Sequence, residues 1–271
     1  MKPAPRDAMR LPRATILMYH RVDDAFADPD EGDYVLPTAV FEAQMRLLDA
    51  QRRPVVSLAA LAEGRYPDGS VVLTFDDGCD TDATVVAPVL RALGFPAAFF
   101  VNPARVGHAG RVSWAQLCGL ADHGFLVGSH GLDHTLLDDL PPPELERQLA
   151  TSKRWLEERL ERPVETMALP GGSGGERVRR AAEQAGYRLV LGSRPGIVRG
   201  AAAFGIQPRV GLRRGHALPA FTAAIDQHPL FLLQQGLRYR VLDAGRSLLG
   251  ARTYGHLRML WLQWSEPARR A

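Results

Sequence analysis

An alternation constrains the fold of this chain more than any other feature. Short apolar runs of strand length take turns with amphipathic stretches of helix length. Thr15–Tyr19 (TILMY), Val71–Phe75 (VVLTF), Pro96–Val101 (PAAFFV), Leu126–Gly128, Thr166–Leu169 and Tyr187–Leu191 read as strands. Val71–Phe75 is apolar throughout and rich in β-branched residues, the pattern of a parallel strand buried on both faces. Between these runs, Pro37–Ala50, a short stretch around Leu61, Asp82–Leu93, Trp114–His123, Pro143–Arg162 and Glu176–Ala185 read as helices. In Pro37–Ala50 the apolar Val40, Phe41, Met45 and Leu48 fall on one helical stripe, with Thr38 as a cap or in the first turn. Pro88 either kinks its helix or marks a first turn. Strands alternating with helices of this length are joined by crossovers. The expected class is therefore α/β with a parallel sheet, open or closed into a barrel.

Composition narrows the class. With 271 residues, 46% hydrophobic and 23% charged, the chain is globular rather than disordered or fibrous. An α/β barrel of about 250 residues counts as one domain. The expected division is a domain over 14–226 and a helical appendage over 227–264. A net charge of +3 is too small an excess to argue for nucleic acid. Cys79 and Cys118 can make at most one disulfide, so no disulfide framework holds the fold. Asp7, Arg10 and Arg13 interrupt any apolar leader, and no run of about 18 apolar residues occurs. The expectation from these features is a cytoplasmic protein without a membrane span.

Three polar clusters follow strands. Thr74-Phe75-Asp76-Asp77-Gly78 continues directly from Val71–Phe75, and α/β folds place active sites at such strand ends. Gly78 permits a sharp turn there. Alone, the cluster also fits a polar turn. Ser129-His130-Gly131-Leu132-Asp133-His134 holds two histidines at i and i+4, which share one face of a helical turn and suit metal ligation. Alone, they also fit two surface or packing histidines. Asp133 could support the ligands or be solvated. Thr166–Gly172 (TMALPGG) is a strand followed by Pro170, Gly171 and Gly172, where backbone N–H groups could approach an oxyanion or simply form a loop. Together, and in this order, the clusters compose a mononuclear metal site of one Asp and two His. Three protein ligands leave positions open for water and substrate, as in catalytic sites. The second carboxylate is then available as a base.

TFDDG, followed by PAAFFV and then GSHGLDH, resembles the polysaccharide deacetylases of carbohydrate esterase family 4, the NodB-type homology domain, over roughly residues 14–212. The resemblance implies a distorted (β/α) barrel with an incomplete strand set. It also implies removal of N-acetyl, sometimes O-acetyl, groups from sugars with one divalent metal, Zn2+ first and Co2+, Ni2+ or Mn2+ as alternatives. By resemblance Asp76 is the catalytic base, and Asp77, His130 and His134 are the metal ligands. Pro170 and Gly171 belong to the loop whose backbone N–H holds the oxyanion. The chain departs from the family where an Arg usually precedes that Pro and an aromatic residue follows it. The family's late Asp-Trp motif is also missing. Many members end a late strand in Leu-x-His, whose His protonates the leaving amine. Here Ile16-Leu17-Met18-Tyr19-His20 has that form at the N-terminal end, resembling the circularly permuted branch that includes poly-N-acetylglucosamine deacetylases. In a nearly closed barrel the first and last strands are neighbours, so His20 is the implied general acid; the plain alternative is a packed strand-end histidine. Arg209 is a candidate replacement tether for Asp76, or a surface Arg. His108, His123, His216, His228 and His256 are read as surface or packing residues, and Trp114 as a residue packing at a helix start.

The expected substrate is an acetylated amino-sugar polymer, oligosaccharide or lipid-linked glycan. The alternatives are hydrolysis of another non-peptide C–N bond, as in ureides or N-formyl sugars, and a non-catalytic glycan-binding domain. In 238–264, Arg238, Arg240, Arg246, Arg252 and Arg258 are interleaved with Leu, Tyr and Trp. Such a segment can lie on an anionic membrane, or pack across the barrel with its basic face solvated.

Overall fold

The apolar run read as the central strand is β2 (Ser70–Phe75), buried at all six positions. The computed structural model describes residues 11–25, 32–202, 205–216 and 218–245. The expectations about Asp7, Arg10, His256 and the segment 246–264 therefore lie outside the described residues. In β2's sheet, β1 (Arg13–Tyr19) lies on one side and β3 (Ala97–Val101) on the other, both parallel to it. Next come β4 (Leu126–Ser129), β5 (Thr166–Ala168) and β6 (Leu189–Leu191), again parallel. The crossovers carry α1 (Thr38–Ala50), α2 (Leu58–Ala62), α3 (Ala87–Leu93), α4 (Trp114–Asp122), α5 (Pro142–Leu160) and α6 (Glu176–Gln184). Ser57 caps α2, and Ser113 with Gln116 forms a reciprocal capping box on α4, satisfying N–H groups that a helix start leaves open. Pro88 stands in the first turn of α3, behind a π-helical turn over Asp82–Val86.

Three two-residue strands were not anticipated, because two residues show no period: β7 (Val198–Arg199), β8 (Ile206–Gln207) and β9 (Val210–Gly211). They complete the barrel. β8 pairs with β6 and β9 pairs with β1, while only Pro208 and Arg209 separate β8 from β9. One short segment thus bridges the last and first strands and nearly closes the sheet. Proline has no N–H to give a ladder, which suits it to the break. β7 adds an antiparallel strand at the outer edge of β1. After β9 come α7 (Leu218–Ile225) and a helix over 229–245. Phe221, Ala224 and Ile225 of α7 are buried.

Alternate strand residues face two apolar layers. Ile16, Val72, Ala98, Phe100, Ala168 and Leu191 fill the barrel interior. Leu17, Tyr19, Leu73, Phe75, Phe99 and Met167 face the helices, where Phe41, Met45 and Leu48 of α1 meet them. Tyr19, Phe75 and Phe99 stack across three strands at 5.0 and 5.1 Å between ring centres. Burial on both faces explains why these strands read as unbroken apolar runs. The interior parity also places the site. It runs 16, 18, 20 on the β1 path, 72, 74, 76 on β2 and 98, 100, 102 on β3. His20, Asp76 and Asn102 therefore emerge side by side at the C-terminal mouth.

Candidate active site

His20 and Asp76 are neighbours by register. Tyr19 pairs with Phe75, and the Asp76 N–H donates to the Tyr19 carbonyl at 3.0 Å. Both line a cleft of about 240 Å3, together with Asp77, Arg105, Arg111, His130, His134 and Gly171. Asp77 has the opposite strand parity and reaches the cleft because its backbone turns into the left-handed region (φ 77). Gly78 follows at φ 61, and a Cβ there would stand 2.9 Å from Val101. The turn after β2 therefore requires glycine.

Asp76 is fully tethered. Arg209, 0% exposed, donates from Nη1 and Nη2 to its two carboxylate oxygens, each at 2.7 Å. Its Nε donates to the Gly192 carbonyl at 2.7 Å, and Nη1 also reaches the Thr74 hydroxyl at 3.2 Å. The candidate tether is thus the buried partner of Asp76, and the surface alternative does not hold. Burial works to raise the Asp76 pKa, but Arg209, then His130, outweigh it and hold the group below the ordinary carboxylate range. The bidentate fork also fixes the carboxylate plane.

Asp77 is provided for differently. Its Oδ1 is buried without a hydrogen-bond partner among the described residues. Instead, His130 Nε2 lies 3.4 Å away and His134 Nε2 3.3 Å away. The three donor atoms lie within 4.8 Å of one another. His130 Nδ1 is 2.9 Å from the Ala168 carbonyl, which can only accept, so Nδ1 carries a proton and Nε2 is the nitrogen turned to Asp77. Burial, then His130, lowers the His134 pKa to about 4, leaving that ring neutral at neutral pH. A carboxylate oxygen without a hydrogen bond among the described residues, facing two imidazole nitrogens, is a donor set that fits a divalent cation.

The helical turn expected for His130 and His134 does not form. Residues 130–134 are a loop after β4, and His134 itself has φ 72. The loop is held by groups that spacing did not reveal. The Asn102 side-chain amide donates to the His130 carbonyl, Ser152 Oγ donates to the Gly131 carbonyl at 3.0 Å, and the Leu132 N–H donates to Gln148 Oε1 at 3.2 Å. Asp133 bonds neither ligand ring; it takes two 3.0 Å bonds from Gln148 Nε2, anchoring the loop to α5. Asn102 could have been found, because it directly follows a strand with interior parity. Gln148 and Ser152, inside α5, carry no such signal.

Gly171 lines the cleft at φ 63, in a turn over Pro170–Gly172. Pro170 is buried and is not among the cleft-lining residues; its ring packs so close to Gly131 that a Cβ there would stand 2.9 Å from its Cγ. The ring thus packs against the loop that carries His130 and His134. The His20 ring lies 4.5 Å from the Tyr34 ring, and burial, partly opposed by Asp77 and Asp76, lowers its pKa. Tyr34 ends a short 3-10 turn over Gly32–Tyr34, between β1 and α1. Trp114 opens α4 with the Arg159 guanidinium 5.5 Å from its ring, as a packing residue. Among the other described histidines, His123 bonds Arg91, His216 packs on Phe231, and His108 and His228 are exposed.

A family model described as polysaccharide deacetylase matches residues 63–190. A putative polysaccharide deacetylase, YxkH, of Bacillus subtilis is 27% identical over 216 residues, covering 78% of this chain and 75% of that protein. Over these stretches the chain is similar to polysaccharide deacetylases. A peptidoglycan-N-acetylglucosamine deacetylase of Bacillus cereus is 29% identical to this chain over 124 residues, covering 45% of the chain and 56% of that protein. The Streptococcus pyogenes deacetylase PplD, solved in complex with acetate, superposes with a TM-score of 0.71 at 20% identity. That match covers 79% of this chain and 99% of PplD and shows a shared barrel.

Proposed function

We propose that this chain is a metal-dependent carbohydrate deacetylase that removes N-acetyl groups from an acetylated amino sugar. The observation that carries the reading is the unequal provision of two adjacent carboxylates. Asp76 is held ionised by a buried guanidinium, while Asp77 faces two imidazole nitrogens and its Oδ1 has no hydrogen-bond partner among the described residues. Similarity to polysaccharide deacetylases supports the hydrolytic chemistry. The name of the Bacillus cereus relative supports an N-acetylglucosamine-containing glycan as the substrate class.

Asp77, His130 and His134 would hold the cation. When bound, a divalent ion supplies Lewis-acid polarisation of the amide carbonyl and acidifies water, and Zn2+ suits this donor set best. Asp76 takes the proton of the attacking water, its carboxylate aimed by the Arg209 fork. The Gly171 backbone N–H donates to the oxyanion that develops on the carbonyl oxygen. His20, beside Asp76 at the strand end, gives a proton to the departing sugar amine. Tyr34 covers one face of the His20 ring and limits its access to bulk water.

Acetate release from N-acetylated glucosamine oligomers tests the reading on chelated protein with Zn2+, Co2+, Ni2+ or Mn2+ added back. Activity restored by metal is the expected result. Glycan binding with no acetate released under any metal would favour a binding domain. Release of formate from N-formyl sugars, or ring opening of a ureide, with no acetate release, would move the assignment to another C–N bond.

A further inference from the structure

The helix over 229–245 has two apolar faces, and among the described residues only one is covered. Phe231 is buried and Leu232 half-buried against the core. On the opposite side Leu230, Leu233, Leu237 and Val241 are 64%, 68%, 63% and 63% exposed. Their spacings of three, four and four residues put them on a single stripe. Only seven large hydrophobic residues are exposed among the described residues, and four of them form this stripe. At 100° per residue, exposed Arg238 falls on one edge of the stripe and exposed Arg240 on the other. Only residues 238–245 of the segment 238–264 are described, so the choice between a packed helix with a solvated basic face and a membrane-lying one is not tested by them. Within 229–245 the helix packs through Phe231 and Leu232, and its exposed side is an apolar stripe bordered by the two arginines.

We propose that this stripe docks on an anionic phospholipid surface. Two features favour that occupant. An apolar stripe with arginines along both edges matches the interface between acyl chains and anionic headgroups. The charge of the chain is also concentrated here: from Gln227 to Ala271 there are seven arginines against two acidic residues, more positive than the +3 of the whole chain. The rest of the chain is therefore slightly acidic, and attraction to an anionic surface would orient the molecule with this end toward it.

The docking face is joined to the cleft. Arg238 pairs with Asp33 at 3.3 Å, and Asp33 precedes the Tyr34 that covers His20. Arg213 lies 5.5 Å from the Tyr34 ring, and His216 packs on Phe231 of the same helix at 6.0 Å. A protein seated by this helix would hold one lip of its cleft close to the lipid.

The test is co-sedimentation of the full chain with phosphatidylcholine vesicles, with and without phosphatidylglycerol. Binding is expected to be about tenfold or more stronger with the anionic lipid and to weaken with salt. The triple variant Leu233→Gln, Leu237→Gln, Val241→Thr is expected to lose about tenfold or more of that binding. It should keep the parent's thermal melt and its acetate release from a soluble oligosaccharide. Loss of acetate release in both proteins would count against the proposed reaction and leave the vesicle result readable. Absence of vesicle binding by the parent, or equal binding by the variant, overturns the proposal. So does a parent that is dimeric in light scattering, fails to bind vesicles and becomes monomeric in the variant, since a second copy then covers the stripe. Vesicle binding gained only on deletion of residues 246–271 overturns it as well, assigning the stripe to that segment.

Discussion

Asp76 and Asp77 are adjacent in sequence, both are screened from bulk solvent, and the protein treats them in opposite ways. Asp76 receives a guanidinium fork and has its charge compensated within the protein. Asp77 Oδ1 has no hydrogen-bond partner among the described residues and is instead faced by two imidazole nitrogens. A buried charge without compensation is costly. The cost at Asp77 is explained if a cation completes the site, while Asp76 is already complete and stays available for proton transfer. One carboxylate is finished by the fold, and the other waits for a ligand.

The sharpest way to break this comparison is Asp76→Asn. Turnover should fall about a thousandfold, within the range for loss of a general base, while bound metal stays at the parent level by elemental analysis. Metal lost together with activity would show that the two carboxylates share one role. His134→Ala should do the reverse. Metal affinity should fall by more than the roughly 10–100-fold typical of losing a supporting contact, and acetate release should return only at raised metal concentration. Unchanged stoichiometry would remove His134 from the donor set.

Arg209→Met attacks the completed side. It strips a buried carboxylate of its partner, which typically costs about 3–5 kcal/mol of stability. The lowered pKa of Asp76 means its contribution to stability is present above the unfolded carboxylate range and is lost as pH falls through the folded value. Without Arg209, burial should raise that pKa, so the acid limb of the rate profile should move to higher pH. Arg209→Lys keeps the charge without the fork and should fall between parent and Met variant. Identical melts for parent and Met variant would show that the tether is energetically idle.

The comparison also shows what was legible in the sequence. Asp76, Asp77, His130 and His134 could be found because strands end in front of them and their residue types are costly to place there without a purpose. Their chemistry was legible, but the geometry of the histidine pair was not. The i, i+4 spacing suggests a helical turn, whereas the contacts from Asn102, Gln148 and Ser152 hold a loop with His134 in the left-handed region. Arg209 was legible as a candidate only. It sits between two-residue strands whose pairing comes from barrel closure, a long-range effect without a local period. The exposed stripe of the 229–245 helix was hidden for another reason: composition shows that the helix is apolar and basic, but not which apolar face the barrel covers.

The last prediction tests whether Asp77 is distinctive among buried carboxylates or simply one of several. Asp82 is also fully buried, and neither of its oxygens has a hydrogen-bond partner among the described residues. It lies in the π-helical turn before α3, and no imidazole is among the main influences on it. Burial, reinforced by the charge of Asp77, pushes its pKa well above the ordinary carboxylate value, and Arg21 offsets this only in part. Arg21 is engaged elsewhere, donating to Asp80 at 2.8 Å and to the Gly110 carbonyl at 2.5 Å. The fold therefore favours the protonated form of Asp82 more than the unfolded chain does. A raised folded pKa means stability is fully present below the unfolded value and is lost as pH rises toward the folded one. Asp82→Asn keeps the shape and removes the titration, so it should raise the melting temperature by on the order of a few degrees at neutral pH. Melts of chelated parent and variant at about pH 5 and about pH 8 should show the gap widening with pH. Metal affinity should stay at the parent value in the variant. A gap that narrows with pH would show that Asp82 is ionised in the fold. Lost metal affinity would show that it belongs with Asp77, and the contrast between an acid that awaits a cation and one whose protonated form the fold favours would then fail.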